Sequence, residues 1–241
     1  MKKFHFKQGP FNVTGLSLTI IGFVLAMLCL VGCQRPSGRG LYFAKVTDAQ
    51  KPADGNPVSV YYGWQGYCIE DAKLDCYSDR SVMLVPFDTA IVNHLNGTYP
   101  RLFTDEIQQD ADLNPGAAPN PSHDPKIFPA AVLCLLCSAA CLVFCFYRVL
   151  TPHKYQDEHY TRGFLACGSA ILALLLTILS NVMYQDAVEQ LNMAYPHLTA
   201  STGPGMPMIG CSFAAFSLAS YFLLRGCMSM ESSSTDGYNP I

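Results

Sequence analysis

The sequence predicts an all-α membrane protein: a four-helix transmembrane bundle that carries a small β-rich first extracellular loop. Three observations predict it. Half of the 241 residues are hydrophobic and only 14% are charged, against about 25% charge in a soluble domain. The apolar residues are gathered into four long uncharged stretches instead of being spread along the chain. The segments between them differ in sign, basic in one set and acidic in the other, as cytoplasmic and external loops do. A net charge of -3 without any basic run leaves no electrostatic footprint for nucleic acid.

Residues 1–14 hold Lys2, Lys3 and Lys7 and no acid, a leader expected in the cytoplasm. Residues 15–33 form the first expected transmembrane helix. As a helix its uncharged part would rise about 27 Å, close to a hydrocarbon core of about 30 Å. Leu30-Val31-Gly32-Cys33 also spells a bacterial lipoprotein cleavage box. A cleaved leader is therefore the competing reading, but the run exceeds a signal core of about 7–15 residues.

Residues 34–127 form the first outer loop, with eight basic and twelve acidic residues. Val, Tyr and Phe dominate 40–46, 58–64, 74–77 and 82–87, with Gly, Pro, Asn and Asp as punctuation, so short strands are expected there. Looser helical patterns follow at 89–95 and 102–109, before a proline-rich linker. Three more transmembrane helices are expected over 128–147, 163–185 and 206–224. The connector 148–162 contains Arg148, Lys154 and Arg162 and belongs inside by the positive-inside rule. The connector 186–205, with Asp186 and Glu189 as its only charges, becomes a second outer loop. The serine-rich tail 225–241 returns to the cytoplasm, so both termini are internal.

The densest local signal is Tyr61-Tyr62-Gly63-Trp64-Gln65-Gly66-Tyr67-Cys68, answered by Cys76. It reads as a strand entering a glycine-relaxed bend, with the return strand tied by a short disulfide. Gly63 and Gly66 supply backbone angles or close contacts that a side chain would forbid. In an oxidising compartment Cys68 and Cys76 are expected to be joined. A loop this small gains about 2–3 kcal/mol from the bond. A structural staple is the plain reading of the pair and a redox-active role the other.

Cys134, Cys137, Cys141 and Cys145 fall on one stripe of the second helix. Cys134-Leu-Leu-Cys137 is a CxxC, which makes a membrane thiol–disulfide oxidoreductase the alternative function. Against it, Cys134 lies about 9 Å into the helix, with no charge or His nearby in sequence to stabilise a thiolate. The Cys, Ser and Ala run suits close helix packing instead. The small-residue pairs Ser169/Ala173 and Gly210/Ala214 extend that packing reading. Asn96-Gly97-Thr98 is an N-glycosylation acceptor on the expected outer side, whereas Asn12-Val13-Thr14 falls inside. Asp110-Ala-Asp112-Leu-Asn114 begins like a calcium-binding loop, but Pro115 and Pro121 occupy the positions that need Gly and Glu. No metal site, cofactor or catalytic residue is expected. The spans lack ionisable residues except at their edges, unlike an intramembrane protease, a pump or a transporter of charged substrates.

Four spans, a stranded first outer loop and a Gly-rich aromatic motif ending in a cysteine pair resemble the claudin-type tetraspan superfamily. Gly63 stands five positions before Cys68, as in the animal Gly-Leu-Trp-x-x-Cys motif, but Trp64 has moved and Gln65 fills its usual slot. Gly63-Trp64-Gln65-Gly66-Tyr67-Cys68 with Cys76 is more similar to the fungal pattern Gly-aromatic-x-Gly-x-Cys and a later Cys. With Leu41-Tyr42-Phe43-Ala44-Lys45 opening the loop, the chain most resembles the fungal factor-induced-gene family of calcium regulators and membrane fusion proteins. The resemblance implies a non-enzymatic plasma-membrane protein that supports fusion during mating or hyphal growth and regulates calcium influx. Its implied partners are the bilayer, calcium channel components, and other membrane proteins or further copies of itself met laterally or from cell to cell. The cortical-patch and pH-response tetraspans of fungi share the loop cysteines and are the related alternatives.

Overall fold

The computed structural model describes residues 10–48, 58–71, 73–78, 127–150, 160–194 and 198–235. Among them four helices are long and apolar enough to cross a membrane: α1 (Pro10–Val31), α2 (Ile127–Leu150), α3 (Thr161–Ala194) and α4 (Gly205–Thr235). Three of them carry proline in the first turn, at Pro10, Pro129 and Pro207. A missing N–H costs nothing there, because the first four amides of a helix have no internal acceptor.

Among the described residues five strands form one sheet: β1 (Ala44–Asp48), β2 (Ser59–Tyr62), β3 (Gly66–Glu70), β4 (Leu74–Ser78) and β5 (Leu198–Thr202). Their order is β4-β3-β2-β1-β5 and every pairing is antiparallel. The chain divides into two compact units, a helical one (residues 1–26, 131–175 and 210–241) and one that contains the sheet (27–130 and 176–209).

The helical unit packs through small residues and side chains that bond backbone carbonyls. A Cβ on Gly22 would lie 2.8 Å from the Phe216 ring, so α1 and α4 meet closely there. The Ser212 hydroxyl donates to the Gly22 carbonyl at 2.9 Å, and Ser220 donates to the Gly163 carbonyl at 3.2 Å. The thiols of Cys134 and Cys141 point at the carbonyls of Ser169 and Arg162, at 3.5 and 3.3 Å. Cys134, Cys141 and Cys145 are buried and Cys137 is half-buried; none of the four is in a disulfide. Arg162, assigned to a solvated connector by its charge, is buried, and its Nη1 donates to Asn12 Oδ1 at 3.4 Å.

Several elements differ from the sequence expectation. α3 continues nine residues past 185 to Ala194, because Tyr184, Ala187 and Leu191 keep an apolar face at helical spacing through the charges Asp186 and Glu189. β5 lies in what reads as a plain connector. Gly210 faces open space and Ala214 is exposed. The buried face of α4 is instead Ser212, Ala215, Phe216, Ala219 and Leu223. The expected strand at 82–87, the helical patterns at 89–95 and 102–109, the acceptor Asn96 and the acidic run 110–121 lie outside the described residues.

Candidate functional site

α1 ends in a turn that prepares a docking surface for the aromatic bend. Cys33 takes the left-handed conformation (φ 58°), the usual way of stopping a helix, though normally by glycine. Its N–H donates to the Gly38 carbonyl at 3.2 Å, and that of Gln34 to the Val31 carbonyl at 3.4 Å. The turn leaves the carbonyls of Gly32 and Cys33 pointing at the bend between β2 and β3. A Cβ on Gly63 would sit 2.6 Å from the Gly32 oxygen, and one on Gly66 would sit 2.5 Å from the Cys33 oxygen. No described glycine has a positive φ. Of the two roles open to Gly63 and Gly66, the structure uses close backbone approach.

Between the glycines, Trp64 is buried. Its ring stacks on Phe43 at 4.9 Å and its Nε1 donates to Ser180 Oγ of α3 at 3.1 Å. Phe43 stacks in turn on Tyr184 at 5.2 Å, and the Tyr184 hydroxyl donates to the Gly63 carbonyl at 3.1 Å. Gln65 Oε1 accepts from Gln34 Nε2 at 2.8 Å, and the same amide reaches the Leu30 carbonyl at 3.2 Å. That bond satisfies one of the carbonyls a helix end leaves unpaired. The bend is thereby fixed to the end of α1 and to the side of α3.

Cys68 and Cys76 are directly opposed on β3 and β4 and are disulfide-bonded. The sequence suggests a single hairpin; the structure separates it into two. The Trp64 bend joins β2 to β3, and the disulfide staples the next hairpin, β3 to β4. Cys68 Sγ rests 3.4 Å from the Cys33 carbonyl, a packing contact because a disulfide sulfur has no proton to donate. The Cys33 thiol belongs to the same cluster. Burial pushes it up to about 12, which keeps it protonated and unreactive at neutral pH.

The two faces of the sheet differ in chemistry. One carries a tyrosine ladder across three strands, Tyr62 on Tyr67 at 6.5 Å and Tyr67 on Tyr77 at 5.3 Å. The Tyr62 hydroxyl is buried with no partner among the described residues, and burial, then Tyr67, raises its pKa. The other face carries Lys45 over the Tyr61 ring at 5.1 Å and a Tyr61 hydroxyl that donates to Glu70 Oε2 at 2.6 Å. Arg39 closes an ion pair on Glu70 Oε1. The Tyr61 hydrogen bond, assisted by Arg39, holds Glu70 below the usual carboxylate range. Burial and then Glu70 push Tyr61 up to about 12. β4 leaves Asp75, Tyr77 and Ser78 exposed.

Phe43, Ser180, Tyr184, Gln34 and Cys33 complete this site, and no local motif marks Ser180, Tyr184 or Gln34. Among the described residues no three His, Cys, Asp or Glu are grouped to hold a metal. No protein-family model matches the chain, and no curated protein matches it.

Proposed function

We propose that the chain is a non-enzymatic tetraspan protein of the plasma membrane, claudin-like in build, with the sheet outside the cell and both termini in the cytoplasm. In this role it is a contact module. The sheet meets other membrane proteins laterally or across a cell junction, supports membrane fusion during mating or hyphal growth, and regulates calcium influx through a channel partner. The supporting observation is how the aromatic bend is used. Gly63, Trp64, Gln65 and Gly66 bind the chain's own α1 end and α3, while the stapled strand β4 presents Asp75 and Tyr77 outward. That division suits a rigid platform with a displayed edge better than a pocket for chemistry. Replacing Cys68 and Cys76 together by Ser is expected to reduce surface delivery and to impair fusion and calcium uptake in parallel, with a stability loss of about 2–3 kcal/mol. Wild-type behaviour of that double variant in all of these assays contradicts the proposal.

A further inference from the structure

An open cleft of about 680 Å³ lies in the sheet unit against the last turns of α3, a size within the usual range of about 300–1,000 Å³ for small-molecule sites. Asn181, Gln185, Glu189 and Asn192 line it from α3, Ser201 and Thr202 from β5. These α3 positions recur at i, i+4, i+8 and i+11, one stripe of the helix. Its far wall is held in place by Asn192, whose amide pairs both ways with Ala200, accepting from N at 2.8 Å and donating to O at 3.0 Å. Among the described residues of the lining Glu189 is the one charged side chain, and none of them is Lys, Arg or His. Beside this stripe α3 exposes Ile178, one turn before Asn181, and Val182, next to it, at 52% and 53%. The apolar span of α3 runs to Met193 and that of α4 begins at Gly205, so the cleft falls where two spans end.

We propose that this cleft binds the head group of a zwitterionic phospholipid, an inference that rests on the reading of the sheet unit as the outer side of the membrane. The ammonium end meets Glu189. The amide and hydroxyl groups of Asn181, Gln185, Ser201 and Thr202 donate to the phosphate. An acyl chain leaves along Ile178 and Val182. An anionic lipid would bring a second negative charge to Glu189, with no cation among the described lining residues to offset it.

The test titrates the detergent-solubilised full chain with phosphatidylethanolamine and phosphatidylglycerol of identical acyl chains, and counts bound lipid by native mass spectrometry. The expected result is about fivefold tighter retention of phosphatidylethanolamine, as for a partly exposed charge-assisted contact. Glu189→Gln should abolish that preference while keeping the Cys68–Cys76 bond, and Asp186→Asn, outside the lining, should leave it intact. Equal retention of both lipids by the wild type, or an unaltered preference in Glu189→Gln, overturns the proposal. Full displacement of the lipid by millimolar soluble phosphoethanolamine also overturns it, by assigning the cleft to a free zwitterion. Alkaline carbonate extraction separates the two levels. Release of the chain from membranes refutes the membrane reading itself, whereas retention with equal lipid binding refutes the cleft assignment alone.

Discussion

The helical unit and the sheet unit solve the same packing problem with opposite materials. In the helical unit many contacts are small: glycines against Phe216 and Leu223, and serine and cysteine side chains aimed at carbonyls of neighbouring helices, beside one Phe11–Phe222 stack at 6.2 Å. In the sheet unit they are large: the Phe43, Trp64 and Tyr184 stack, the tyrosine ladder and a disulfide. On the proposed placement, with the helices in lipid and the sheet in water, the difference follows from the solvent around each. Lipid tails are as apolar as leucine, so burying leucine against leucine gains little there, and close approach with buried hydrogen bonds takes over. Water rewards the burial of aromatic area, and a covalent staple adds to what a small sheet obtains from its core.

That contrast can be broken most sharply at Trp64. Trp64→Ala is expected to cost about 3–5 kcal/mol, whereas Trp64→Phe, which keeps the stack and loses the bond to Ser180, should cost about 1 kcal/mol. Thermal unfolding in detergent, followed by near-ultraviolet circular dichroism, separates the two. Equal losses would mean that the hydrogen bond, not the aromatic area, holds the bend. Gly63→Ala comes next, at about 1–3 kcal/mol, because the atom it meets is a backbone carbonyl that has little room to move. The fluorescence of Trp64, the only tryptophan, would report the displacement directly.

In the helical unit, Ser212→Ala should cost about 0.6 kcal/mol, the typical scale of a hydrogen bond within membrane helices. A loss as large as that of Gly63→Ala would erase the distinction between the units. The smallest effect expected is at Glu70. Its carboxyl is held below the ordinary range in the folded state, so its stabilising contribution is present above that range and fades as pH falls beneath about 4. The stability advantage of wild type over Glu70→Gln should therefore be larger at about pH 6 than at about pH 3. An advantage unchanged between the two would contradict the Tyr61, Glu70 and Arg39 arrangement.

How far the chain can be read without its structure follows from the range of each signal. The four apolar helices are legible because span length and the absence of charge are properties of single segments. The Trp64 bend is legible as unusual, because two glycines and an aromatic in a row are rare in a strand. Its partners are not: Ser180 and Tyr184 lie more than 110 residues away and look like any other residues of an apolar helix. β5 escapes notice because Leu198-Thr-Ala-Ser-Thr202 is short and polar, and becomes a strand by pairing with β1. The end of α3 is hidden by Asp186 and Glu189, charges that suggest a loop while the buried face beneath them continues. Gly210 and Ala214 show the converse. Small residues four apart permit close packing but do not say which face of the helix is turned inward.

The claim on which the functional reading depends is that the stapled sheet faces the cell exterior. Single cysteines placed at Asp75, exposed on β4, and at Leu150, exposed at the end of α2, test it in intact cells with a membrane-impermeant maleimide. Asp75→Cys is expected to react at once, and Leu150→Cys only after the membrane is permeabilised. Labelling of Leu150→Cys with Asp75→Cys protected would contradict the account.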